Sequence, residues 1–277
     1  MRELGDRLSA EGAVPGLQVY LGGADHVRGI SNYVGLGLIH EDLGPVMQGD
    51  ASVWLIPSDD VDAPVAIRGP FRAAWQGYRS PQEGGPPGIH AMDVRFDREG
   101  TWTALVQVQD RSETILGTGQ FRVRANALNR APGMRALATQ TPTVDDARGV
   151  DPICTRDPIC PMHEVTLAEA IRSGKPTVFL FGTPAFCETR TCGPNLAELL
   201  EVREQVAAGA HFIHAEVYRD DDPDTINARI GSPTMEAWDF RSEPWVYLID
   251  RRGVIRHRYE GPIVASRIAT DLATLFA

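Results

Sequence analysis

Between about Leu17 and Val123, apolar and polar residues alternate in short runs separated by turn residues. Trp102, Ala104, Val106 and Val108 share one face of such a run, and Phe121 and Val123 share a face of another. The pattern predicts strands at Gly16 to Leu21, Ile30 to Ile39, Ser52 to Ile56, Ile67 to Tyr78, His90 to Phe96, Trp102 to Gln109 and Gly119 to Val123. Their spacing predicts an antiparallel β-sandwich for residues 1–125. From Asn126 to Pro161 the alternation stops and Pro, Ala, Thr, Asp and Arg dominate, as in a linker laid over a surface.

Beyond the linker the period changes, and residues 162–277 read as an α/β domain. Thr166 opens a short helix that Gly174 and Pro176 stop. The apolar run from Thr177 to Phe181 is too short for a helix and reads as a buried strand. Leu196, Leu199, Leu200 and Val206 then recur at helical spacing, with Pro194 suited to the first helical turn. A second buried strand spans His211 to Tyr218, and the acidic, Pro-broken stretch Arg219 to Pro233 reads as an insertion with a helical turn from Met235 to Phe240. Ser242 to Asp250 and Val254 to Tyr259 form a hairpin around Arg251-Arg252-Gly253, and Val264 to Phe276 closes the chain as an amphipathic helix.

Composition bounds the function. A chain of 277 residues with 43% apolar side chains has material for two cores. Its formal charge of −10 argues against a phosphate-backbone partner, so no nucleic acid is expected. No run of eighteen apolar residues occurs, so no transmembrane segment is expected. Met1 to Ala10 lack the apolar centre of a signal peptide, which implies a cytosolic protein or an export segment outside this chain. The four cysteines pull the other way: two close pairs suit two disulfides, or one disulfide and one redox pair, in an oxidising extracytoplasmic compartment.

Cys187 and Cys192 sit where a strand hands over to a helix. The unpaired amides and positive dipole end of a helix start favour a thiolate, the reactive form of cysteine. With the helix starting near Pro194, Cys192 is expected to be the more acidic thiol, with Arg190 adding positive charge to either. Cys154 and Cys160 are candidates for a structural disulfide, for an electron relay, or, with Met162 and His163, for a soft copper(I) site. Neither cysteine pair has the spacing of a zinc site built from all four thiols. Glu216, at a strand end, is a relay candidate set against a solvated carboxylate. Phe186 and Trp245 are groove walls or core, and His26, His40 and His90 read as ordinary surface or core residues.

The order helix, strand, Cys helix, strand, insertion, hairpin, helix, with Cys192-Gly193-Pro194, Glu243-Pro244 and the Asp250-Arg251-Arg252-Gly253 turn, resembles the thioredoxin-like superfamily. The likeness is to its extracytoplasmic bacterial thiol-disulfide oxidoreductases. It implies that Cys187, Cys192 and a cis-proline at Pro244 form a catalytic site that exchanges disulfides with a protein partner without a cofactor. The Cys-x4-Cys spacing departs from Cys-Gly-Pro-Cys, which leaves open which sulfur attacks. Some peroxiredoxins space their cysteines this way. Sco-type copper chaperones add a distal histidine, which would make Cys187, Cys192 and His214 copper ligands. The run Gly88 to Trp102 resembles small bacterial immunoglobulin-like domains, which implies that fold for the sandwich.

Overall fold

The computed structural model describes residues 2–58, 67–79, 87–206 and 209–276, which fall into two units, Met1–Leu128 and Asn129–Ala277. The first begins with α1 (Arg2–Ala10) and continues through β1 (Val14–Pro15), β2 (Leu17–Leu21), β3 (His26–Val27), β4 (Ser31–His40) and β5 (Gly44–Pro45). Then come β6 (Ala51–Pro57), β7 (Arg68–Gly77), β8 (Gly88–Arg95), β9 (Gly100–Asp110) and β10 (Glu113–Arg124). All seven strands expected from alternation are present. Helix α1 is an addition, and its Leu4 and Leu8, one turn apart, pack with Trp54, Leu105 and Leu116.

An immunoglobulin-type sandwich is not shown. The strands follow one continuous hydrogen-bonded path, β1-β10-β9-β6-β7-β8-β4-β2. β1 pairs in parallel with β10, and β2, only one residue further along the chain, pairs antiparallel with β4 at the other end of the path. Gly16, at φ 134°, joins them. A short stretch of chain therefore brings the two ends of the sheet together, as in a barrel. Alternation marks inward and outward positions equally in both architectures, so it cannot tell them apart. Trp102, Phe96, Val53, Leu55 and Val106 fill the interior. The three histidines of this unit are buried: His26 lies against Phe121, His40 Nδ1 accepts from the Asp42 amide, and His90 Nε2 meets the Gly49 carbonyl at 3.0 Å.

The second unit holds α2 (Leu167–Arg172), β11 (Thr177–Phe181), α3 (Cys192–Val206), β12 (His211–Ala215), α4 (Pro223–Asn227), α5 (Pro233–Trp238), β13 (Trp245–Ile249), β14 (Ile255–Glu260) and α6 (Ala265–Ala273). The expected element order is present, with α4 an addition. The sheet order is β12-β11-β13-β14, with β11 and β12 parallel and β13 antiparallel to both its neighbours. The hairpin turn is fixed by Asp250, whose Oδ1 accepts from the Arg252 and Val254 amides, and by Gly253 at φ 76°. Trp245 belongs to the core, buried in an aromatic stack with Phe181, Phe240, Tyr247 and Trp238. No helix among the described residues is long and apolar enough to cross a membrane.

The stretch expected as a linker, 126–161, is instead bonded into the second unit from Asn129 onward. The Ala136 amide donates to Gly253, Ala168 to the Thr139 carbonyl, Leu167 to Thr141 Oγ1 and Val144 to His163. These bonds replace the periodicity that would have marked it as structured. α2 has a complete capping box: Thr166 Oγ1 accepts from the Glu169 amide, and Glu169 accepts from the Thr166 amide. Thr166→Ala is expected to cost about 1 kcal/mol, read as a lowered urea midpoint at unchanged slope. An unchanged midpoint would show that the packing of α2 holds the turn without its cap.

Candidate functional site

β11 is buried along its whole length and ends at Gly182, from which a loop runs through Cys187 to the first turn of α3. Cys187 and Cys192 are disulfide-bonded, with Cα atoms 5.9 Å apart. α3 starts at Cys192, two residues before the expected start, because the Asn195 amide already closes a helical bond onto the Thr191 carbonyl. That turn is anchored from behind. Buried Asn195 donates to the Gly261 carbonyl and accepts from the Ile263 amide, and buried Glu198 accepts from the Ala265 amide at the start of α6.

The two sulfurs differ in access. Cys192 is fully enclosed, whereas Cys187 is half-exposed. The Cys192 amide, the first of the helix, donates to Cys187 Sγ at 3.2 Å, and Thr189 Oγ1 lies 3.3 Å from the same sulfur. The first amide of the helix is therefore aimed at the Cys187 sulfur. Arg190 is exposed at φ 57° in the turn closed by its amide on the Cys187 carbonyl.

The Glu243–Pro244 peptide is cis, and Pro244 and Cys192 both border Gly182: a Cβ added there would lie 3.4 Å from Pro244 Cβ and from Cys192 Sγ. Buried Glu243, for which the sequence offered no signal beyond its place before Pro244, accepts from the Glu188 amide at 3.4 Å. Burial raises its carboxyl above the usual range, against the pull of that amide. Beside Cys187, half-buried Phe186 lines an open groove of about 650 Å³ with Ile153, Ile159 and Thr155.

Cys154 and Cys160 do not form the structural disulfide expected of them. Both are free and buried, because the loop carrying them turns inward onto β12 instead of closing on itself. His214 goes with them. Its Nδ1 lies 3.7 Å from Cys154 Sγ and 3.5 Å from Cys160 Sγ, and its Nε2 lies 3.0 Å from the Gly182 carbonyl. The copper set Cys187, Cys192 and His214 is therefore not assembled; the histidine's strand position aims its ring at the other cysteine pair. His163 completes a group of four donor atoms, all within 4.8 Å of one another. Met162 is buried, and its carbonyl accepts from the His214 amide.

Glu216 is buried, not solvated, and accepts from the Thr155 amide at 2.6 Å and the Thr155 hydroxyl at 2.9 Å. Burial raises its pKa, and His214 and Thr155 oppose the rise. Burial works against a charged His214, but Cys154 and Glu216 outweigh it and hold the ring's pKa above its ordinary value. Burial takes His163 below the ordinary value. The Cys160 thiol, then both imidazoles, hold Cys154 far below the usual thiol range, while Cys154 and burial push Cys160 far above it.

No protein-family model matches this chain, and no curated protein matches it. Among solved structures it is similar to a thiol:disulfide interchange protein of the thioredoxin family from Chlorobium tepidum TLS, at 12% identity over 53% of this chain and 99% of that one, with a TM-score of 0.36. It is also similar to a thioredoxin-like superfamily protein, at 20% identity over 41% of this chain and 86% of that one, with a TM-score of 0.28.

Proposed function

We propose that this protein is a thiol-disulfide oxidoreductase that exchanges disulfides with a protein partner through Cys187 and Cys192. The observation that carries the reading is a disulfide at a helix start with one cysteine half-buried and the other fully enclosed. In the reduced protein the Cys187 thiolate attacks a partner disulfide, forming a mixed disulfide and releasing one partner thiolate. Cys192 then attacks Cys187 Sγ, closing the internal disulfide and releasing the second partner thiolate, so two electrons pass to the partner. The reverse sequence oxidises a partner dithiol. The helix-start amide lowers the energy of a Cys187 thiolate, and the groove beside Phe186, lined by apolar and charged side chains, gives an extended segment of the partner a place to lie. The reading suits an extracytoplasmic site, where disulfides persist.

The test is a redox titration in glutathione buffers, with the Cys187–Cys192 bridge scored by alkylation and mass spectrometry. A reversible two-electron couple is expected between about −270 and −120 mV, the range spanned by exchange proteins. A bridge that stays closed below about −300 mV behaves as a structural disulfide and removes the reading.

A further inference from the structure

We infer that Cys154, Cys160, His163 and His214 bind one zinc ion in a closed tetrahedral site, separate from the exchanging cysteines. Three observations carry this. The first is spacing. Around a tetrahedral zinc with bonds of about 2.3 Å to sulfur and 2.0 Å to nitrogen, sulfur and nitrogen ligands lie about 3.5 Å apart. His214 Nδ1 stands 3.5 Å from one thiol sulfur and 3.7 Å from the other, and the four donors fall within 4.8 Å of each other.

The second is the outer shell. The Gly182 oxygen can only accept, so the Nε2 of His214 carries a hydrogen and Nδ1 is the nitrogen left to face the sulfurs. A ligand histidine is normally fixed in this way, by its far N–H on a carbonyl. Glu216 does the same for the Cys154 loop by holding both polar groups of Thr155.

The third is burial without compensation. Cys154, Cys160, His163 and His214 are 6%, 2%, 1% and 0% exposed, and among the described residues neither ring nitrogen of His163 reaches hydrogen-bond geometry with a protein group. The four donor atoms are shut in together with His163 left without a hydrogen-bond partner among the described residues, and one dication would satisfy all four. Binding replaces the two thiol protons: zinc plus two thiols and two neutral imidazoles gives a neutral four-ligand centre and two released protons.

The donor set selects the metal. Two thiolates and two imidazoles in a closed tetrahedron suit zinc, whereas copper(I) favours sets richer in soft sulfur. The competing use of these thiols is a relay that would close a Cys154–Cys160 disulfide during turnover.

The full-length chain, purified without chelator, is expected to carry one zinc per chain by elemental analysis. The metal-free chain is expected to regain it against a chromophoric chelator, releasing protons. Cobalt(II) in its place is expected to give the visible absorption of a tetrahedral thiolate site. The Cys187→Ser/Cys192→Ser chain should keep this metal in full, and Cys160→Ser should lose it. In the native protein zinc should shield Cys154 and Cys160 from alkylation. Substoichiometric zinc in both wild type and the double variant, preferential retention of copper(I), or a Cys154–Cys160 disulfide formed in the presence of zinc would each overturn the assignment. None of these readouts depends on exchange at Cys187, so the two proposals can fail separately.

Discussion

Replacing Cys192 with serine is expected to trap the protein as a stable mixed disulfide at Cys187 when it meets a partner disulfide. Cys187→Ser is expected to abolish the reaction altogether. Attack on a disulfide needs an approach to the sulfur, and Cys192 is wholly enclosed by the first turn of α3 and Gly182, while Cys187 stands half-exposed in the loop. The amide of Cys192 is a backbone group and survives its replacement, so the serine variant keeps the donor aimed at Cys187 Sγ. It loses only the second sulfur, the group that would resolve the adduct. Mass spectrometry of each variant after incubation with glutathione disulfide reads the outcome directly. An adduct on Cys192 in the Cys187→Ser chain, with none on Cys187 in the Cys192→Ser chain, would reverse the roles. The order in which the upstream cysteine attacks is also the order implied by the peroxiredoxin likeness. Hydrogen peroxide offered to the reduced wild type separates the two chemistries, because a peroxidase forms the Cys187–Cys192 bridge with peroxide faster than with a protein disulfide.

The element order of the second unit was legible because β11 and β13 are short apolar runs next to Gly182 and Pro244, and each main helix shows its own period. Thr177 to Phe181, Trp245 to Ile249 and the Gly253 turn all fall where the pattern puts them. The disulfide-bonded pair Cys187 and Cys192 was legible for the same reason, since its place between strand and helix is local. The exact start of the helix was not: α3 begins at Cys192 itself, two residues before Pro194, which turns that amide toward Cys187. Of the second cluster, Cys154, Cys160 and His163 were legible as candidate ligands, and His214 was not placed with them. Cys160 and His163 are neighbours in sequence, but His214 reaches them only because β12 pairs with β11 and carries the ring to the level of Gly182. In the first unit, alternation located every long strand. It could not show that Val14 to Leu21 touches both ends of the sheet, because pairing between distant strands leaves no trace in the period of either.

Closure of that sheet has its own consequence for stability, and Gly117→Ala is expected to destabilise the protein by about 3 kcal/mol or more. Gly117 lies in β10, opposite Val106 of β9. A Cβ added to it would stand 1.9 Å from the Leu17 carbonyl oxygen and 2.7 Å from the Leu17 carbonyl carbon. Both are backbone atoms of β2, so no rotamer change relieves the clash, and β10 must move away from β2. Two other glycines grade the effect. At Gly119 the added carbon would meet Leu21 Cδ1 at 2.6 Å, the end of a side chain that can turn, so Gly119→Ala is expected to cost about 1 kcal/mol. Gly5 lies within α1 with nothing inside 4 Å of the added carbon. Gly5→Ala is therefore expected to stabilise the helix by about 0.5–1 kcal/mol, through the lost backbone freedom of the unfolded chain. Equilibrium urea unfolding of the three full-length variants, supported by hydrogen exchange at the β10 amides, gives the ranking. If Gly117→Ala unfolds at the wild-type midpoint, the backbones of β2 and β10 do not pass this closely, and the sheet is open where the strand order closes it.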